Sequence, residues 1–136
     1  MKKLKMSSAD MVAKAKARIE EVDTDAAIAL VGDPDVVFVD LRDVRERQKL
    51  GFIPGSIHCP RGMIEFWVDP DSSYHKEVFN QPNKTFVLYC RSSWRSALAT
   101  KALKDMGMDN GCHFAGGFMA WKVANGPIVE RSHWEY

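Results

Sequence analysis

Two rhythms of apolar residues run along this chain. Residues 36–41, VVFVDL, and 85–90, TFVLYC, are continuous apolar runs rich in β-branched and aromatic side chains, the pattern of strands covered on both faces. Shorter strand-like segments stand at RIEEV, SIHCP and CHF, with Pro60 closing the second. Between them the spacing turns helical. SADMVAKAKAR (8–18) is a run of helix formers with Ser8 or Asp10 as caps, and Thr24 caps DAAIALVG, which Gly32 and Pro34 stop. DVRERQKLG is a charged helix ended by Gly51, and RGMIEFWVD places Met63, Ile64, Phe66 and Trp67 at helical spacing. Residues 95–106, RSALATKALKDM, predict an amphipathic helix with Ala97, Leu98, Ala102, Leu103 and Met106 on one side, closed by Gly107. AGGFMAWKVANGP reads as a glycine turn followed by a short helix. Strands thus alternate with helices, which predicts an α/β domain with a mainly parallel sheet and right-handed crossovers. Ligands gather at the carboxyl ends of strands in such sheets.

Composition changes this picture little. The 136 residues suit one domain, and a net charge of +1 gives no sign of a nucleic-acid partner. MKKLKM is basic like the start of a signal peptide, but SSADMVAKAKARIEEVD follows in place of an apolar segment, and no apolar stretch approaches a membrane span. The expectation is a soluble, cytoplasmic protein without membrane contact. Three cysteines without close spacing, Cys59, Cys90 and Cys112, fit a reducing compartment rather than a disulfide framework.

Cys90 carries the candidate chemistry. It closes a strand and is followed by RSSWRSA, a tight loop and a helix start. A strand, loop and helix N-terminus in that order direct unpaired N–H groups and a positive dipole end at one spot, an anion pocket that favours a thiolate. Arg91 and Arg95 add charge, so Cys90 is expected to be a nucleophile near neutral pH. Phosphatases and sulfurtransferases both use a cysteine in such a loop. The phosphatase spacing is C-x5-R, whereas Arg95 follows Cys90 as C-x4-R, a smaller ring that suits a sulfur atom better than a tetrahedral phosphate.

Three blocks resemble the single-domain rhodanese family. VVFVDLRDVRERQKLGFIPGSIHCPRG is similar to its D-x-R-x-x-x-E followed by G-[HR]-I-P-G-A, with Asp40, Arg42, Glu46, Gly51, Ile53, Pro54 and Gly55 matching. CRSSWRSA resembles C-x-x-G-x-R-S, and GGFMAWKVANGP resembles G-G-x-x-A-W-x-x-A-G-x-P. The resemblance implies a five-stranded, mainly parallel sheet flanked by helices on both faces, and Cys90 as a persulfide carrier in a ping-pong reaction. It further implies a small sulfur-containing anion such as thiosulfate as donor, with cyanide or a thiol, small or on a thioredoxin-like protein, as acceptor. Arg91, Ser92, Ser93, Trp94 and Arg95 would form the anion-binding loop, with no cofactor and no metal. Ser93 stands where the family has glycine; if φ is positive there, serine costs about 1 kcal/mol. Phe52 replaces the usual histidine or arginine, and Trp94 puts a large ring in the loop. The alternatives are a non-catalytic rhodanese module for protein binding or sulfide sensing, and a phosphatase or arsenate reductase on the same fold.

Residues 20–128 are expected to form the rhodanese-like domain, with 1–19 a helical extension and 129–136 a tail ending in WEY. Arg42 and Glu46, four apart at a helix start, predict a scaffold ion pair. His58-Cys59 and Cys112-His113 are strand neighbours that point to opposite faces and so do not form metal sites. Cys59 and Cys112 read as small buried residues, Phe66, Trp67, Phe114, Phe118 and Trp121 as core, and no histidine has a spacing that ties it to Cys90.

Overall fold

Parallel strands buried on both sides need helices on both faces, and the chain supplies them. The structure, a computed structural model, describes residues 3–130; the WEY tail lies outside the described residues. Among these residues the strands β1 (Glu21–Val22), β2 (Val36–Asp40), β3 (Ile57–His58), β4 (Thr85–Tyr89) and β5 (Gly111–Phe114) form one sheet in the order β1-β5-β4-β2-β3. Every pairing is parallel. The five-stranded α/β architecture is as expected, although the first strand keeps only two residues of RIEEV.

Alternation along the strands divides the interior into two cores. Phe38, Val87, Tyr89, Cys112 and Phe114 face one side, where they pack with Ala27 of α2 (Thr24–Ala29) and Phe118 and Trp121 of α6 (Gly117–Val123). Val39, Phe86 and Leu88 face the other, against Ile64 of α4 (Ile64–Val68) and Ala99 and Leu103 of α5 (Trp94–Asp105). The helix α3 (Val44–Leu50) follows β2. On the outer side of α5 lies α1 (Ser8–Lys16), where Val12 and Ala15 meet Ala97.

Several local expectations shift. Ser7, not Ser8 or Asp10, caps α1 through the Asp10 N–H, and Asp23, not Thr24, caps α2 through the Ala26 N–H. In both cases the residue just before the expected cap takes the role, because its extended backbone lets the side chain turn back on the helix. The buried stripe of α5 runs through Ser96, Ala97, Ala99, Thr100 and Leu103, while Met106 is exposed. Phe66 is also exposed, beside Tyr74, whereas Phe114, Phe118 and Trp121 are core as expected.

Arg42 does not pair with Glu46. Its guanidinium is fully buried and grips Asp40 with two hydrogen bonds of 2.9 and 2.8 Å. Arg47 adds a bond of 3.1 Å to the same carboxylate, and the Tyr89 hydroxyl donates to it at 3.0 Å. Burial by itself would raise the Asp40 carboxyl, but the hydrogen bonds and charge of Arg42, with Arg47, outweigh it and hold it below its ordinary value. The network also ties Gly51 O to Arg42 and Ser56 to Arg47, which anchors the segment between α3 and β3 beneath the ends of β2 and β4.

Candidate active site

Cys90 follows the last residue of β4, the central strand, at the carboxyl edge of the sheet. By alternation it lies on the same face as Leu88, beneath α5, and it is 1% exposed. Its sulfur occupies the place of a helix cap. The N–H of Ser96, in the first turn of α5, donates to Sγ at 3.3 Å, and Ser96 Oγ stands 3.6 Å from Sγ. A helix N-terminus leaves such N–H groups without intrahelical partners, and here the cysteine sulfur takes one of them. The amides of Arg91, Ser92, Ser93, Trp94 and Arg95 have no acceptor among the described residues.

The loop is held from outside. The first amides of α6 donate to its carbonyls, Phe118 N to Cys90 O at 2.8 Å and Met119 N to Arg91 O at 3.0 Å. This close approach requires glycine: a Cβ on Gly117 would sit 2.6 Å from both carbonyl oxygens, and its φ is +61°. The third sequence block thus acts by packing its glycine turn against the loop.

Ser93 has φ +82°, a left-handed conformation that glycine adopts without strain and serine does not. Its side chain is buried, and its hydroxyl accepts from the ammonium of Lys16 at 2.9 Å. The helix expected to be a mere extension therefore reaches the loop. Trp94 is 48% exposed and Ser92 is exposed, so both face solvent rather than the core.

The two arginines part company. Arg95 is bound by the Glu46 carboxylate through two bonds of 2.8 and 3.0 Å, and Glu46 also accepts from Asp43 N in the capping box of α3. The hydrogen bond from Arg95, more than burial opposes it, holds Glu46 below its usual value. Arg91 is exposed and has no ion-pair partner among the described residues. It borders a recess of about 420 Å3 that Arg45, Glu46 and Lys49 also line. Phe52, which stands where the first block usually has histidine or arginine, packs under the Arg47 guanidinium at 3.9 Å and bridges to Val129.

Cys59 and Cys112 lie apart from this loop, each in its own core, and burial pushes their thiols up to about 12 and about 11. One histidine is close, contrary to the expectation from spacing. His113, fully buried on β5, places Nδ1 2.8 Å from Ser96 Oγ. The signal was the alternation in Cys112-His113-Phe114, which turns His113 toward α5, but only the register of Leu88 opposite His113 brings it behind Cys90.

A parallel five-stranded sheet with a cysteine loop at the end of its central strand defines the class as an α/β domain, and the comparisons narrow it. The model of the rhodanese-like domain matches residues 23–124, and the chain belongs to that family. The thiosulfate sulfurtransferase GlpE of Pseudoalteromonas translucida is 30% identical over 104 residues, 76% of this chain and 90% of its own. A rhodanese domain-containing protein of Drosophila melanogaster is 32% identical over 97 residues, 68% of this chain and 87% of its own. Among solved structures, a Rhodopseudomonas palustris protein described as a possible tyrosine phosphatase is 46% identical with a TM-score of 0.91, covering 95% of this chain and 98% of its own. Among the described residues, no helix is long and apolar enough to cross a membrane.

Proposed function

We propose that the chain is a sulfurtransferase that moves a sulfane sulfur from thiosulfate, or a donor of like charge, to a thiol or cyanide through a Cys90 persulfide. The observation that carries this reading is the loop itself, with Cys90 Sγ capped by Ser96 N–H and five successive amides left to receive an anion. The Cys90 thiolate attacks the outer sulfur of thiosulfate; the S–S bond of the donor breaks, sulfite leaves with the electron pair, and Cys90–S–S⁻ remains. Loop N–H groups then hold the persulfide anion as an oxyanion hole holds its oxygen. Cyanide or a thiolate takes the outer sulfur and restores the Cys90 thiolate. Arg91 steers the donor, while Arg95 sets the loop through Glu46. Ser92 and Trp94 border the entrance, and Ser93 forms the turn.

A phosphatase reading draws on the description of the Rhodopseudomonas palustris relative. The C-x4-R loop argues against it, since it offers one amide fewer than C-x5-R to a tetrahedral phosphate. The test is intact-mass analysis of wild type and Cys90→Ser after thiosulfate, then cyanide, with hydrolysis of an aryl phosphate assayed in parallel. Gain of one sulfur by wild type alone, lost as thiocyanate, is the expected result. Aryl phosphate turnover without a sulfur adduct would reverse the assignment, and an inert thiol would leave a binding or sulfide-sensing module.

A further inference from the structure

Behind Cys90 runs a line of polar groups that sulfur transfer as described above does not use. Ser96 Oγ lies 3.6 Å from Cys90 Sγ, 3.2 Å from Ser93 O and 2.8 Å from His113 Nδ1. At the far side of the ring, His113 Nε2 comes within 2.7 Å of Glu21 Oε2, an ion-pair distance, with the ring N–H not aligned on the oxygen. Lys16 of α1 stands 3.9 Å from the same carboxylate and also binds Ser93. Cys90, Ser96 and His113 are all buried, so a proton leaving the thiol has this internal route as well as the entrance.

We infer that Ser96 and His113 form a proton relay for Cys90, in which the imidazole takes the thiol proton through the serine hydroxyl and Glu21 balances the charge that results. This rests on Cys90 being the nucleophile. In the step, the Cys90 S–H bond breaks and its proton passes to Ser96 Oγ, while the Ser96 O–H proton passes to His113 Nδ1. The products are thiolate, an intact serine and an imidazolium, with no proton gained or lost overall. The new serine O–H points at the sulfur that gave it, and Nδ1–H donates to the serine oxygen. His113 is thus a positioning residue that acts through Ser96.

The groups facing the ring suit this cycle. Burial lowers His113 and the Lys16 charge lowers it further, against the pull of Glu21, so the neutral ring is favoured while Cys90 keeps its proton, and that ring can accept one. Formation of the thiolate places a negative charge behind Ser96, and that charge favours the protonated ring beside it. Glu21 and Lys16 both precede residue 23, where the family match begins, so this chain builds the outer half of the relay from its own N-terminal segment.

The test is the rate of Cys90 alkylation by iodoacetamide from pH 5 to 10, read by peptide mass spectrometry, for wild type, His113→Asn and Ser96→Ala. Asparagine can still accept from the serine hydroxyl but cannot take the proton. The expected result is alkylation about tenfold slower than wild type at pH 7 for both variants, the change worth one unit of thiol ionisation, and equal rates at pH 10. A purely structural role would scale the rate at every pH or lower only the melting temperature. Should the variants not fold, the His113 ring nitrogens are followed by NMR in wild type before and after Cys90 is blocked with a methylthio group. Loss of the doubly protonated ring on blocking supports the relay, and an unchanged ring overturns it. A reactive wild-type thiol with superimposable variant profiles overturns the relay and leaves sulfur transfer standing. A wild-type thiol inert throughout overturns both.

Discussion

Lys16 Nζ donates to Ser93 Oγ at 2.9 Å, which ties a helix outside the family-matched segment to the one residue of the Cys90 loop that has a left-handed backbone. The serine that strains the loop also provides the hydroxyl that fastens it. A left-handed non-glycine residue costs about 1 kcal/mol, and a hydrogen bond to a charged donor is worth about the same or more.

That balance predicts coupling. Lys16→Met is expected to slow thiosulfate loading of Cys90 several-fold, with a stability loss of about 1 kcal/mol or less because the lysine is partly solvated. Ser93→Gly relieves the backbone and removes the acceptor, so adding Lys16→Met to it should change the loading rate less than Lys16→Met does in the wild type, the remainder acting through Glu21. Loading rates of the two single variants and the double variant measure this. Additive effects would mean that Lys16 acts on the site without Ser93.

The arginines separate binding from loop geometry. Arg91→Ala should raise KM for thiosulfate with kcat nearly constant, because an exposed charge at the recess helps capture rather than chemistry. Arg95→Ala leaves Glu46 unpaired and frees the first turn of α5, so it should lower kcat and cost roughly 1 kcal/mol of stability. Steady-state kinetics with thermal unfolding distinguish the two; a KM effect confined to Arg95 would reverse their roles.

The sequence showed what local pattern can carry. Residues 36–40 and 85–89 are legible because strands covered on both faces must be continuously apolar, and Cys90 is legible because it ends such a run. The positive φ of Ser93 was signalled by the glycine at that place in the C-x-x-G-x-R-S motif that the loop resembles. Side-chain partners across the sheet were not legible. Glu46 meets Arg95 over 49 positions, Lys16 meets Ser93 over 77, and His113 reaches Ser96 only through the strand order that sets β5 beside β4. The i,i+4 rule favoured Arg42–Glu46, but the carboxylate of Asp40, buried and two residues away, competes better for a guanidinium with no access to water.

Asp40 gives the fold an acid limit. Its carboxyl is held below the unfolded value of about 3.8 by Arg42 and Arg47, so its contribution is complete above that value and is lost as pH falls through the folded one. Urea unfolding should therefore show stability level in this respect above pH 4 and dropping below it. Asp40→Asn, which leaves two buried guanidinium groups against a neutral amide, should cost about 3–5 kcal/mol and flatten the drop. A steep acid limb that persists in Asp40→Asn would place its origin in another carboxylate.

The three thiols should differ in kind. Burial holds Cys59 near 12 and Cys112 near 11, so both remain protonated at pH 8 and resist alkylation while the protein is folded. Iodoacetamide at pH 8 is expected to label Cys90 alone, and all three only after denaturation. Thiosulfate treatment before labelling should move the label to the outer sulfur of the Cys90 persulfide, a product one sulfur heavier, and cyanide added before the label should restore the plain thioether. Labelling of Cys112 at a rate comparable with Cys90 would show that β5 opens in solution.

Gly117 offers the sharpest test of how the loop is held. Its Cβ position lies 2.6 Å from Cys90 O and Arg91 O, and its φ of +61° is itself unfavourable for a side chain. Gly117→Ala must therefore push α6 away from the loop, lengthening the bonds from Phe118 N and Met119 N that fix the two carbonyls. Loosening those bonds lets the peptide planes of the loop turn. The expected outcome is a stability loss of about 1–3 kcal/mol together with a fall in sulfur loading larger than that of Arg91→Ala. Gly62→Ala, at an exposed position with no heavy atom within 4 Å of the added carbon, serves as the control and should leave both quantities near wild type. Unimpaired loading by a folded Gly117→Ala protein would mean that the anion pocket does not depend on α6 at all.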